Sequence, residues 1–437
     1  MVGIKYFILK CTLVIGFLVS YACVPIQPNT STTQRFPALQ FNNNSYQNNI
    51  KTVQLLTFKN GSNTARNNPS IELNSQQSLI LTFDDLSNQQ QLYQARILHL
   101  NKDWTKLSQV LSMNYLDGYN QIPIQDYEYS FDTKIPYIHY QFKVPAVEVT
   151  GNYLLVVYKG NNENDIVLSE RFRVYENKTS VAYKIVPSSL VRNRRTMQEV
   201  EFEVRLNGAN ILNRGGDIYP VVKQNNNWNN EITLNEPRFI QGEVLQYNFF
   251  DGTLNFVGFS EFRFIDISTV NFKGANISEI DQTQTPIKML SSIDRSRASQ
   301  AYREWQDNNG QFFIGNRERQ TTELVNDYID VTFRLASPQQ SEPIYIIGEF
   351  NNWETNSNSI MKYNESTSTY QRTYKLKQGF YEYMYFTPQE PVYKFEGSYV
   401  DTENSYDIAI YYSNPQLRYD ELIGYTQFNS RTARQNK

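Results

Sequence analysis

The side chains able to carry nucleophilic, acid–base or metal chemistry are few. Two imidazoles, His99 and His139, and two thiols, Cys11 and Cys23, are all that 437 residues contain. The histidines form neither a His-x-x-x-His nor a His-Glu pattern, so transition-metal binding and His-dependent triads have almost no raw material. Both cysteines fall in the first 23 residues, which leaves the rest of the chain without an internal disulfide or a Cys-based metal site. His99 stands among Leu98, Leu100 and Trp104, where a hydrogen-bonded structural imidazole is expected. Asp84-Asp85 could serve as paired carboxylates or bind Ca²⁺, but as sequence neighbours between a strand and Leu86 they read as an Asx-type turn. Arg192-Asn193-Arg194-Arg195 reads as a solvated basic loop, with an anchor for an acidic patch or anionic head groups as its functional alternative. No catalytic, cofactor-binding or metal-ligating residue is therefore expected.

The elements that would position these groups are strands. Hydrophobic residues make up 40% of the chain and charged ones 19%, and 32 Tyr and 26 Phe suit half-buried pleated surfaces. A net charge of −3 supplies no positive field for nucleic acid. Lys5 and Lys10, the apolar run 11–19 and Ser20-Tyr21-Ala22-Cys23 form a secretory signal over 1–22. Cys23 is a candidate lipidation site, ordinary cleavage being the alternative, and 23–44 reads as a flexible leader. No later run approaches the roughly 20 apolar residues of a membrane helix. Short apolar or alternating runs follow, such as Val53-Gln54-Leu55-Leu56, Tyr153-Leu154-Leu155-Val156-Val157-Tyr158 and Glu199-Val200-Glu201-Phe202-Glu203-Val204, punctuated by turn pairs such as Asp117-Gly118. The strongest helical stretch is short, 296–306. Polar interruptions at 176–180 and 316–323 predict three consecutive immunoglobulin-like, early-set β-sandwich domains, over 45–176, 177–318 and 319–437. The free chain is expected to be a monomer.

Several short segments, taken in order, carry a resemblance. They include Leu81-Thr82-Phe83-Asp84-Asp85-Leu86, Leu98-His99-Leu100-Asn101-Lys102-Asp103-Trp104 and Tyr115-Leu116-Asp117-Gly118-Tyr119-Asn120 in the first domain. Glu261-Phe262-Arg263-Phe264-Ile265-Asp266, Gly348-Glu349-Phe350-Asn351-Asn352-Trp353 and Tyr419-Asp420-Glu421-Leu422-Ile423-Gly424-Tyr425 extend it toward the C terminus. The set resembles the plug protein family of the Bacteroidetes type IX secretion system. That resemblance implies a periplasmic protein, without catalytic residues or cofactors, that docks on the inner mouth of the outer-membrane translocon barrel and blocks its pore when no cargo passes. The last domain is also similar to glycogen-binding modules of the AMP-kinase type, which implies glycan stacking on Trp353, Tyr381 and Tyr383. The competing reading of those rings is structural, with Trp353 closing a turn and the alternating tyrosines divided between core and surface. A carbohydrate-binding periplasmic or surface lipoprotein is accordingly the alternative function.

Overall fold

The period-two runs pair into six sheets, stacked two by two, because each pleated strand has an apolar face that only a second sheet can cover. The computed structural model describes residues 36–59, 62–65, 68–319, 322–389 and 391–435. The signal segment 1–22, Cys23 and most of the leader lie outside the described residues. Among the described residues the single α-helix is Ser430–Gln435, and the architecture is all-β.

In the first sandwich, one sheet runs in the order Asn44–Ser45, Ile166–Tyr175, Gly151–Lys159, Tyr93–Leu100, Ile122–Ile124, with Ser70–Glu72 beside Ile166–Tyr175. Ser62–Ala65, Ile50–Lys59, Gln77–Asp85, Ile138–Lys143 and Asp126–Tyr129 form the other. Leu81, Phe83, Ile97, Tyr140, Tyr153, Leu155 and Phe172 interdigitate between them. A third sandwich is built the same way, from the sheet carrying Arg263–Asp266, Gly379–Phe386, Phe312–Ile314 and Tyr345–Ile347, and from Ile277–Asp281, Ile287–Arg295, Tyr328–Ala336, Thr369–Lys377 and Lys362–Asn364.

The second sandwich departs from the expected linear order. Its first sheet joins Ser180–Pro187, Met197–Arg205, Val244–Tyr247, Phe239–Gln241 and Asn255–Val257. The opposing sheet sets Ile232–Thr233 and Ile218–Gln224 against Ser405–Ser413 and Asp420–Asn429, the last two strands of the chain. The third sandwich is thus inserted into the second, and the expected divisions 177–318 and 319–437 do not follow the strand pairing. The cause is a core that residues 180–257 cannot close alone: Tyr406, Ile408, Ile410, Ile423 and Phe428 supply the apolar face that packs on Ile185, Val200, Phe202 and Leu245. The polar stretch near 316–323 is a loop within the third sandwich, not a boundary.

The stretch 296–306 is not helical. Its side chains are committed outward: Arg297 donates to the Glu396 carboxylate at 2.7 Å and to the Glu261 carbonyl, and Tyr302 donates to Glu261 Oε1. Anchors of that kind hold the backbone as a strap across the domain, overriding a moderate helix preference.

Candidate functional site

The pair Asp84-Asp85 divides its duties. Asp85 makes the Asx-type contact, accepting the Ser87 amide at 2.8 Å, and also accepts from Tyr93 Oη at 2.8 Å. Asp84 is fully buried where the first and third sandwiches meet. His139, from the adjacent strand and directly opposite Asp84 in register, donates Nδ1–H to Asp84 Oδ1 at 2.6 Å. Tyr328 and Lys377, register partners in the third sandwich, approach Oδ2: the phenol donates at 2.6 Å, and the ammonium lies at 2.8 Å as an ion pair not aligned as a hydrogen bond. Lys377 Nζ also sits 4.4 Å over the Tyr137 ring, and Thr52 pairs with Tyr328 Oη at 2.6 Å. Burial acts to raise the Asp84 pKa, but the Lys377 charge and the His139 hydrogen bond and charge together outweigh it and hold the carboxyl below its usual value.

A second junction, between the first and second sandwiches, was not foreseen from the sequence. Arg173, fully buried in Ile166–Tyr175, donates Nη2–H to Glu231 at 2.5 Å and Nε–H to Tyr411 Oη at 2.8 Å, with Asp407 at 3.4 Å from Nη1. Lys223 shares Asp407 at 3.4 Å, and the Trp228 ring lies 3.6 Å from Lys223 Nζ and 4.8 Å from the Arg173 guanidinium. Trp104 meets Trp228 edge-on at 5.2 Å and carries Arg171 at 4.7 Å. The available signal was Glu170-Arg171-Phe172-Arg173, charges interrupting an otherwise apolar strand. Charges at such positions must find partners on another body if they are buried.

His99 is buried and fully bonded. Its Nε2–H donates to the Thr150 carbonyl at 3.1 Å, so Nδ1 accepts from Ser108 Oγ at 2.8 Å. Gly151 is required beside it, since a Cβ there would lie 2.5 Å from Nε2. Burial lowers the imidazole to about 4, against opposing contributions from the Thr150 carbonyl and Asp420. The unfolded chain then takes up a proton near pH 6.5 that the folded chain refuses until about pH 4. The contribution to stability is complete above the unfolded value and is lost as pH falls through this window, by on the order of 3 kcal/mol. In urea unfolding between pH 4 and 7, His99→Gln is expected to flatten that part of the wild-type profile.

The rings proposed for glycan stacking are in the core. Trp353 is 6% exposed and packs with Phe262, Ile347 and Met384. Gly310, at φ +86°, leaves room for it, since a Cβ there would come within 2.3 Å of the indole. Tyr381 stacks on Phe312 at 5.4 Å and donates to the Lys377 carbonyl at 2.6 Å, and Tyr383 donates to Asp294 at 2.7 Å. Both tyrosines are buried because Gly379–Phe386 lies inside its sheet, flanked on both sides. Tyr381 and Tyr383 are enclosed, whereas Trp353, though largely buried, lines a cavity of about 400 Å³ with Phe259, Phe262 and Met384. Arg192, Arg194 and Arg195 are exposed and enter no ion pair among the described residues, as a solvated loop would have them.

The outer surface has a different character. The loop between Tyr93–Leu100 and Ile122–Ile124 exposes Leu107, Leu111, Met113 and Tyr119. Among the described residues, no group of three or more His, Cys, Asp or Glu side chains is arranged to hold a metal ion, and no helix is long and apolar enough to cross a membrane.

Comparison with known proteins adds to this geometry. The chain resembles a hypothetical protein of Parabacteroides merdae whose crystal structure is known, with a TM-score of 0.84 and 26% identity over 90% of this chain and 100% of the other. No curated protein matches it. The profile of the type 9 secretion system plug protein 1st domain matches residues 50–176, the span of the first sandwich that holds Asp84, His99, His139 and Arg173. That family is not an enzyme family, and the matched domain is one of type IX secretion. Residues 50–176 are thus similar to the first domain of the type IX secretion plug family.

Proposed function

We propose that the chain is a non-enzymatic periplasmic plug that binds the periplasmic opening of the type IX outer-membrane translocon and seals its pore in the absence of cargo. The observation that carries this reading is the match of residues 50–176 to the plug family's first domain. The architecture supports it physically. A pore wide enough for folded cargo can be stopped only by a broad body that keeps its shape under thermal motion, and packed sandwiches give a stiff cross-section without crosslinks. Asp84–Lys377 and Arg173–Asp407 are charge pairs with little exposure on either side, and they tie the first sandwich to the third and to the second. Single pairs of this type add modest net stability but fix relative geometry, since breaking one strands a charge away from water. Release must be reversible, which calls for a wet contact of ordinary size instead of a core-like one. Lipid attachment at Cys23 belongs to the same proposal, and mass spectrometry of the mature N terminus reads it directly.

The test is genetic and biochemical. An affinity-tagged translocon is expected to retain this chain when cargo-acceptor partners are missing, and photo-crosslinkers at the exposed Met113 and Tyr119 report which surface is near the barrel. Deleting the gene in the same background should make the outer membrane permeable to large antibiotics. A barrel that purifies without the chain, together with an unchanged permeability barrier, would overturn the reading. Two of the aromatic candidates of the carbohydrate-binding alternative, Tyr381 and Tyr383, are enclosed.

A further inference from the structure

Where the three sandwiches meet, a cavity of about 90 Å³ is lined by Glu170, Glu349 and Glu354 against a single cation, Arg171. Three carboxylates and one guanidinium give the wall a formal charge of −2, and its remaining polar lining is amide side chains, Asn42 and Gln54 among them. Glu170 is the anomaly. It shares a strand face with the core residues Leu168 and Phe172, is 6% exposed, and among the described residues no hydrogen bond satisfies its carboxylate. Among the described residues, no cation lies within 4.0 Å of it. Glu349, from the third sandwich, accepts only a 3.4 Å bond from the Phe312 amide. Asn42 Oδ1 is likewise buried without a donor. The Arg171 guanidinium is engaged elsewhere, donating Nε–H to the Phe41 carbonyl at 2.7 Å and lying over Trp104.

A buried carboxylate with no donor is costly, and each such group in a native fold calls for a bound partner. Two carboxylates facing one small space, with amide oxygens around them and neither thiol nor imidazole in the wall, match the preferences of a hard cation. The volume admits an ion and a few waters. Among hard cations, Ca²⁺ tolerates the irregular oxygen shell that side chains from separate domains would form, whereas Mg²⁺ demands near-ideal octahedral geometry. We propose that this cavity binds Ca²⁺, with Glu170 of the first sandwich and Glu349 of the third as its charged ligands and amide oxygens and water completing the shell. Burial pushes each of these carboxyls up to about 8, with the neighbouring Glu349 charge adding to the effect at Glu170 and the Glu382 charge at Glu349, which reflects how little positive charge the protein itself provides there. The ion would bridge two domains that meet at this point, so it is expected to stabilise the folded chain by mass action.

Trp228 and Trp353 also line the cavity, which makes Tb³⁺ a direct probe. With tryptophan excitation, the full mature chain is expected to sensitise Tb³⁺ emission that Ca²⁺ displaces, and its melting temperature should rise by about 3–5 °C between EDTA and millimolar Ca²⁺. Glu170→Gln keeps the shape and removes the charge. It should melt in EDTA no lower than wild type, while its Tb³⁺ affinity falls at least tenfold and its response to Ca²⁺ disappears. Glu349→Gln provides the same readout should the first variant fold poorly. Absence of Tb³⁺ sensitisation and of any Ca²⁺-dependent melting shift in the wild-type protein, or full retention of both in the folded variants, would overturn the proposal.

Discussion

Asp84→Asn is expected to destabilise the protein by about 3–5 kcal/mol in urea unfolding, because it strands the Lys377 ammonium in a fully buried site. The amide keeps the size of the carboxylate and can still bond Tyr328, so the loss comes from charge and not from a void. Lys377→Met should cost less, since Asp84 keeps its bonds to His139 and Tyr328. Combining the two substitutions should recover much of the loss, giving a coupling energy of about 1–3 kcal/mol in a double-mutant cycle. The wild-type contribution of this site follows from the lowered Asp84 pKa: it is complete above the unfolded value of 3.8 and is lost as pH falls below it. A cost under about 1 kcal/mol for Asp84→Asn would show that the two domains are not held together at this point.

The second large effect is expected at Arg173. Arg173→Met should lower stability by about 3–5 kcal/mol, leaving Glu231 and Asp407 to share Lys223 alone. Arg173→Lys should recover less than half of that. A single ammonium cannot span Glu231, Asp407 and the Tyr411 hydroxyl at once, whereas the planar guanidinium presents separate N–H groups to each. Hydrogen exchange gives the spatial signature: protection should fall first in Ile166–Tyr175 and Ser405–Ser413, the strands that carry the network. Equal loss of protection throughout the third sandwich would instead mean that the site acts on global stability only.

The strands were readable because period two and β-branched or aromatic composition reflect a local requirement, a pleat with one face out of water. Their partners were not. Ser405–Ser413 looks like any buried strand, and nothing local in Tyr406, Ile408 or Ile410 says that the facing surface belongs to residues 180–257. Asp84 illustrates the same limit at the level of one side chain. Its neighbour Asp85 makes a bond two residues away, which spacing can anticipate, while Asp84 is paired with Lys377 from another domain. Trp353 was legible as a turn-closing residue, but its enclosure depends on Phe262 and Gly310, which no spacing rule links to it. His99 was the easier case because Leu98 and Leu100 already announce a buried strand.

The return of the chain to its second sandwich has a consequence for biogenesis. Ile218 must wait for Tyr412, its register partner, so a polypeptide emerging N terminus first can close its first and third domains while the middle one is still open. During that interval the apolar faces of Val200, Phe202 and Leu245 have no cover, and they are the surfaces a chaperone would shield. Losing Ser405–Ser413 and Asp420–Asn429 would therefore open the second sandwich while the first and third keep their own paired sheets, which makes the closing of these two strands a late proofreading point in assembly.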